Sequence, residues 1–134
     1  MYRAPLKDIQ FALDEVIGRS ALDGCPAFGD YSPDLAGSIL EEAAHFAEDV
    51  LDPLWQSADR EGAQWSAEGV RTPQGFKQAY TQLVEGGWTT LSAPAAFGGQ
   101  GLPSLLCTAV EEVLAAANLA FRLCPLLSRS SPGR

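Results

Sequence analysis

The sequence is poor in the groups that most often carry chemistry. Among 134 residues there is one histidine, His45, and three cysteines, Cys25, Cys107 and Cys124. A catalytic triad or a metal centre needs an imidazole beside a nucleophile or further ligands. His45 falls instead between Glu41 and Asp49 on a polar helix face, where a solvated surface histidine is expected. The cysteines are odd in number and share no C-x-x-C spacing. That argues against a disulfide framework and a zinc site, and fits a reduced, cytoplasmic interior. Bases are scarce where acids are dense. Residues 34–68 hold nine carboxylates against Arg60 alone, which accounts for the formal net charge of −8. Such a surface repels phosphates, so neither nucleic acid nor an anionic membrane is an expected partner. A solvated acidic helix face is the simpler reading. No apolar run suits a membrane span, because residues 102–127 are interrupted by Glu111, Glu112, Asn118, Arg122 and Pro125. Residues 1–8 lack the apolar core of a signal peptide. No segment alternates well enough to claim a strand. Trp88-Thr89-Thr90-Leu91 comes nearest and is too short.

What is present is helical periodicity. A chain that is 46% apolar and 19% charged suits one globular domain. Leu6, Ile9, Leu13, Val16 and Ile17 recur at three- and four-residue steps, with Gly18 as the stop. A Gly-, Pro- and Asp-rich loop covers residues 20–32. Ser32-Pro33-Asp34 then opens a long helix with a serine cap, a proline at the first helical position and an early acid. Leu35, Ile39, Ala43, Phe46, Val50 and Leu54 mark its apolar face. Pro53 must end or kink it, and a kink is favoured because Leu54 and Ala58 continue the stripe. Thr72-Pro73 repeats the cap-plus-proline start, before a stripe of Phe76, Ala79, Tyr80, Leu83 and Val84 that Gly86-Gly87 closes. Leu105, Leu106, Ala109, Val110, Val113, Leu114 and Ala117 form the clearest amphipathic helix. Residues 128–134 have no apolar pattern and are expected to be a disordered tail. The fold class is all-α.

Three features invite a chemical reading. Gly99-Gln100-Gly101-Leu102-Pro103-Ser104 has a serine where a dinucleotide fingerprint needs its third glycine, and no strand precedes it. Its glycines then serve positive φ and close approach, with phosphate contact by the loop amides as the second reading. Glu111 and Glu112 point about 100° apart on a helix and do not share a site, so solvent exposure is the expected state. The aromatics Trp55, Trp65, Trp88, Phe28, Phe97 and Tyr80 lie at helix ends and loops, as core plugs do. Asn118 and Arg122 stand four apart on an otherwise apolar helix. They are either simply exposed or line a pocket or interface that this chain does not complete.

Taken in order, several pieces resemble the N-terminal helical domain of acyl-CoA dehydrogenases. They are the long helix leading into Asp59-Arg60-Glu61-Gly62, the helix closing at Glu85-Gly86-Gly87-Trp88, and Ala93-Pro94 followed by Phe97-Gly98-Gly99-Gln100-Gly101-Leu102-Pro103. The Glu111-Glu112 helix and Asn118 complete the set. The likeness covers residues 32–127. Residues 1–31 resemble the extension of the larger bacterial branch, and residues 128–134 depart from the family.

That resemblance implies a protein of three domains: this helical one, a β-domain that holds much of the FAD site, and a C-terminal bundle with the glutamate base. It implies an acyl-CoA thioester as substrate, α,β-dehydrogenation as reaction, and a homo-oligomer only for the full-length protein. Leu119, Arg122, Leu123 and Leu126 are the positions it implies as substrate-lining. No catalytic residue or metal ligand carries over, and no FAD is expected on this chain alone. The expectation is a truncated family member, inactive by itself, with exposed apolar surface around residues 105–127 where further domains would dock. The alternative is a non-enzymatic helical interaction module. An independent flavin-binding protein is the weakest reading.

Overall fold

The computed structural model describes residues 1–18, 22, 24–29 and 31–129. Ser32 caps the long helix as expected, its hydroxyl accepting the Leu35 N–H at 3.2 Å. Helix α2 (Pro33–Phe46) passes through a π-helical segment, Ala47–Leu51, into α3 (Asp52–Glu61). The π segment lies immediately before Pro53, with the Asp52 N–H reaching back to the Ala47 carbonyl. Widening this turn gives the proline ring room against the carbonyls behind it and absorbs the N–H it lacks. The kink expected at Pro53 is thus an expanded turn, and the helix continues. The preceding helix, α1 (Leu6–Phe11), also ends in a π-helical stretch, Ala12–Gly18. Of the loop expected over residues 20–32, the structure describes a short 3₁₀ turn at Pro26–Phe28.

Small side chains decide which face of the long helix is buried. Ala36, Leu40, Ala43, Ala44, Ala47 and Leu51 form its core face, whereas Leu35 is exposed and Ile39, Phe46, Val50 and Leu54 are half-buried at the flank. The apolar stripe read from the sequence is therefore rotated from the true one. Alanines let helix axes come close, and the larger flanking residues then cover the groove. The partner across this seam is α5 (Ser104–Ala117), which contributes Leu106, Ala109, Val110, Val113, Leu114 and Ala117. Here the stripe expected from sequence is the stripe observed.

Between the two lies a segment the sequence reading had as helix and loop only. Strands β1 (Gln64–Ser66) and β2 (Gly69–Arg71) form an antiparallel hairpin, with Trp65 opposite Val70. The domain is mostly helical, with this one correction. The hairpin is exposed throughout and is tied down at its base by Glu61. The Glu61 carbonyl accepts from Gln64 Nε2 at 2.7 Å and its carboxylate from the Gln74 N–H at 2.8 Å. Helix α4 (Phe76–Glu85) starts later than Thr72-Pro73 predicts. Its N-cap is Gly75, and Pro73 supplies a turn before it. Ala79 and Leu83 are buried, while Tyr80 and Val84 of the expected stripe stay exposed.

Helix α4 ends as the sequence predicts. Gly87 takes φ +73°, the Trp88 N–H reaches the Leu83 carbonyl and the Gly87 N–H the Val84 carbonyl, a complete Schellman motif. The loop that follows folds on itself, and Gly99 is where it is tightest. A β-carbon there would stand 2.0 Å from the Ala93 carbonyl oxygen, a backbone atom that has no room to give. Gly99→Ala is expected to destabilise the domain by about 3 kcal/mol, as overpacking against backbone does. Gly87→Ala should cost only about 1 kcal/mol for its left-handed φ, since the atom it meets first ends the flexible Gln100 side chain. Urea unfolding midpoints of the two variants give the order directly.

Candidate functional site

Helix α6 (Leu119–Arg129) buries Phe121, Arg122 and Pro125 and leaves its leucines outward, unlike a surface helix in a closed domain. Leu119, Leu123 and Leu126 are 61, 52 and 46% exposed, and Leu127 joins them. Asn118 and Arg122, by contrast, are 3 and 1% exposed. The reading of these two as simply exposed is overturned.

The physical reason lies in their partners. Asn118 is the one residue between α5 and α6. Its Oδ1 accepts the Phe121 N–H at 3.0 Å and caps α6, while its Nδ2 donates to the Leu51 carbonyl at 3.1 Å. One side chain thus fixes the start of α6 and ties it to the π segment 67 residues away. Arg122 Nη2 donates to the Glu111 carboxylate, forming an ion pair across the α5–α6 elbow. Glu111 is therefore a half-buried partner and not the solvated acid expected, while Glu112 remains exposed. Arg122 Nε and Nη1 have no hydrogen-bond partner among the described residues. Phe121 meets Phe76 edge to face, with ring centroids 5.4 Å apart, and completes the inner side. Helix α6 continues to Arg129, two residues past the domain end expected at residue 127. Residues 130–134 of the expected tail lie outside the described residues.

The remaining candidates fall elsewhere. His45 is exposed at a cleft with Ser38, Glu42, Phe46, Trp88 and Gln100, where Phe46 and Trp88 stack at 6.5 Å. Cys25, Cys107 and Cys124 form no disulfide among the described residues, and only Cys107 is buried, with its Sγ 3.7 Å from the Leu102 carbonyl. Trp65, at 82% exposure, and Phe97 project into solvent, so neither plugs the core. Among the described residues, no group of three His, Cys, Asp or Glu side chains is placed to hold a metal ion. No described helix is long and apolar enough to cross a membrane. Sequence reasoning missed Glu48, taken as one more solvated acid. Its carboxylate accepts the Ala4 N–H at 2.9 Å and pairs with Arg3.

The geometry defines a helical domain whose last helix turns leucines outward. It is the domain of a known family: the acyl-CoA dehydrogenase N-terminal domain matches residues 36–131, and the chain belongs to that family. Among curated relatives it is 36% identical over 130 residues to the 3-methylmercaptopropionyl-CoA dehydrogenase of Ruegeria pomeroyi, an alignment that covers 97% of this chain and 22% of that protein. It is 29% identical over 121 residues to the broad-specificity linear acyl-CoA dehydrogenase FadE5 of Mycobacterium tuberculosis, covering 89% of this chain and 20% of the relative. The butyryl-CoA dehydrogenase of Syntrophomonas wolfei is 32% identical over 90 residues, which are 64% of this chain and 15% of that one. The chain thus spans between 15 and 22% of the length of these relatives.

The loop at residues 98–102 offers no free amides to a flavin pyrophosphate. A flavin pyrophosphate needs free amide donors or cations. The amides of residues 98–102 are all satisfied within the loop, by the carbonyls of Ala95, Pro94, Thr90, Ala93 and Leu91. The glycines here serve chain approach, and the phosphate reading of this loop falls away.

Two pairs of substitutions separate the roles of the inner residues. Asn118→Ala should destabilise by about 2–3 kcal/mol, combining a lost cap with an unpaired buried carbonyl. Asn118→Ser, which keeps a capping oxygen without adding a buried charge, should cost less. At the ion pair, Glu111→Ala strands a buried guanidinium and should cost about 3 kcal/mol or more, whereas Arg122→Met should be near neutral. Equal losses in the last two variants, measured by thermal or urea unfolding, would contradict this assignment.

Proposed function

We propose that this chain acts as the N-terminal helical domain of a flavin-dependent acyl-CoA dehydrogenase, where it supplies one wall of the acyl site. The reaction is the α,β-dehydrogenation of an acyl-CoA thioester in the cytoplasm. The single observation that supports the reading best is the outward leucine face of α6. An exposed row of leucines is costly in water and suited to an alkyl chain or to the domain that encloses one. Leu119, Leu123 and Leu126 would face the acyl group. Arg122, which sequence resemblance places with them, is turned inward and would act behind the wall by holding α6 against Glu111.

The base that removes the substrate proton and the FAD that accepts the hydride belong, in this reading, to other domains. The chain by itself then has no dehydrogenase activity, and homo-oligomerisation would belong to the longer protein. Family membership and the identity to three acyl-CoA dehydrogenases support the reaction class. The acyl group is not specified by these likenesses.

The test is a chimera in which this chain replaces the matching N-terminal part of the Ruegeria pomeroyi relative. It should bind FAD and reduce an electron-accepting dye when given acyl-CoA, while the chain alone does neither. Leu123→Gln in the chimera should raise KM for an alkyl substrate by about tenfold, the scale of a damaged apolar pocket. A chimera that folds and holds FAD yet oxidises no acyl-CoA tested would overturn the proposal.

A further inference from the structure

We infer that residues 1–5 form a strap, latched by Glu48, that walls one side of a groove beside the start of the leucine face. The latch stands on contacts within this chain, and only its service to an acyl wall rests on the function proposed above. Glu48 lies in the π segment, and both its carboxylate oxygens are engaged by consecutive residues of the strap. Oε1 accepts the Ala4 N–H at 2.9 Å and Oε2 takes the Arg3 guanidinium. Backbone and side chain are thus held by one carboxylate, a pairing stronger than either contact between neutral groups.

Beneath the latch the strap is poorly satisfied. Tyr2, Ala4 and Leu6 pack against the core, but the Tyr2 hydroxyl is buried with no hydrogen-bond partner among the described residues. Burial, and then the nearby carboxylates of Glu112 and Glu48, push that phenol above its ordinary pKa. A buried hydroxyl without a partner opposes docking. The strap therefore depends on its one strong fastening.

The groove it borders is about 530 Å³. Met1 and Tyr2 line it with Asp52, Trp55 and Asp59 of α3, together with residues 115–120 of the α5–α6 elbow. Leu119, first of the outward leucines, belongs to this lining. Lifting the strap would remove one wall of the groove beside Leu119. In place, it fixes where that face begins.

The charge state of the latch follows from its neighbours. The Ala4 N–H holds the Glu48 carboxyl below the usual carboxylate range, with Arg3 and His45 adding to the effect against the opposing influence of burial. A lowered folded pKa stabilises the closed strap fully above the ordinary carboxylate value. That contribution is lost as pH falls through the lowered one. The latch is at full strength at neutral pH and weakens in acid.

Amide hydrogen exchange of the 134-residue chain at pH 7 tests this, with Glu48→Ala and Arg3→Ala as variants. Glu48→Ala should speed exchange at Ala4 by about tenfold or more, the factor that goes with losing a hydrogen bond to a charged group. The amides of α5 should not change. Arg3→Ala, an exposed position that cannot unfold the core, should speed Ala4 by a smaller factor. Acrylamide should also quench Trp55 more efficiently in Glu48→Ala, with Trp55→Phe identifying its share of the emission. Unchanged Ala4 exchange in both variants overturns the latch. So does a rise in Glu48→Ala that α5 shares in step while Arg3→Ala leaves Ala4 untouched. Unaltered Trp55 quenching with Ala4 released overturns the strap's part in walling the groove. These rates do not depend on acyl binding, so a failure of the proposed function leaves the result readable.

Discussion

The close seam between the long helix and α5 is the constraint on which the other features depend. Its alanines at positions 36, 43, 44 and 47 bring α2 against the Val- and Leu-rich face of α5, and everything else is placed from there. That closeness has a consequence at Pro53. A helix held along its length by such packing cannot simply stop, so the proline is absorbed by a π segment and not by a break. The π segment in turn presents the Leu51 carbonyl to Asn118 and the Glu48 carboxylate to the N-terminal residues. The N-terminal residues and the start of α6 are thereby fastened to the same π segment.

Helix α6 depends most on that arrangement. An amphipathic helix in a closed domain settles by burying its leucines, yet here Leu119, Leu123 and Leu126 stay outside while Asn118, Phe121 and Arg122 are taken in. The inward side gains a cap, an ion pair and an aromatic contact. The ion pair fixes orientation more than it contributes net stability, because burying a charged pair is nearly balanced by its desolvation. The leucines of the helix are thereby left as exposed apolar surface.

Much of this was legible in the sequence wherever the chemistry is short in range. The Ser32-Pro33 start, the Gly86-Gly87 stop and the α5 stripe each involve residues within a few positions of one another, and each is observed. The order of these pieces also sufficed to identify the family. Legibility failed where long-range packing decides. Large side chains suggested the face of the long helix, but alanines form the seam, because closeness and not bulk sets that contact. The hairpin escaped notice because its strands are three residues each and wholly exposed, leaving no alternation to read. Asn118 and Arg122 could be recognised as needing partners. The partners could not, since the Leu51 carbonyl is 67 residues distant and Glu111 lies across a helix boundary. Glu48 was invisible for the same reason, one acid among nine in its stretch.

The central claim is that the outward face of α6 meets the acyl chain. Photo-crosslinking is its most direct measurement. An acyl-CoA carrying a diazirine on its alkyl tail would be irradiated in an active, FAD-loaded enzyme containing this domain, and the labelled peptides mapped by mass spectrometry. Label on the peptide that carries Leu119, Leu123 and Leu126 is the predicted result. Efficient labelling confined to other parts of the enzyme, with α6 unmarked, would contradict the account.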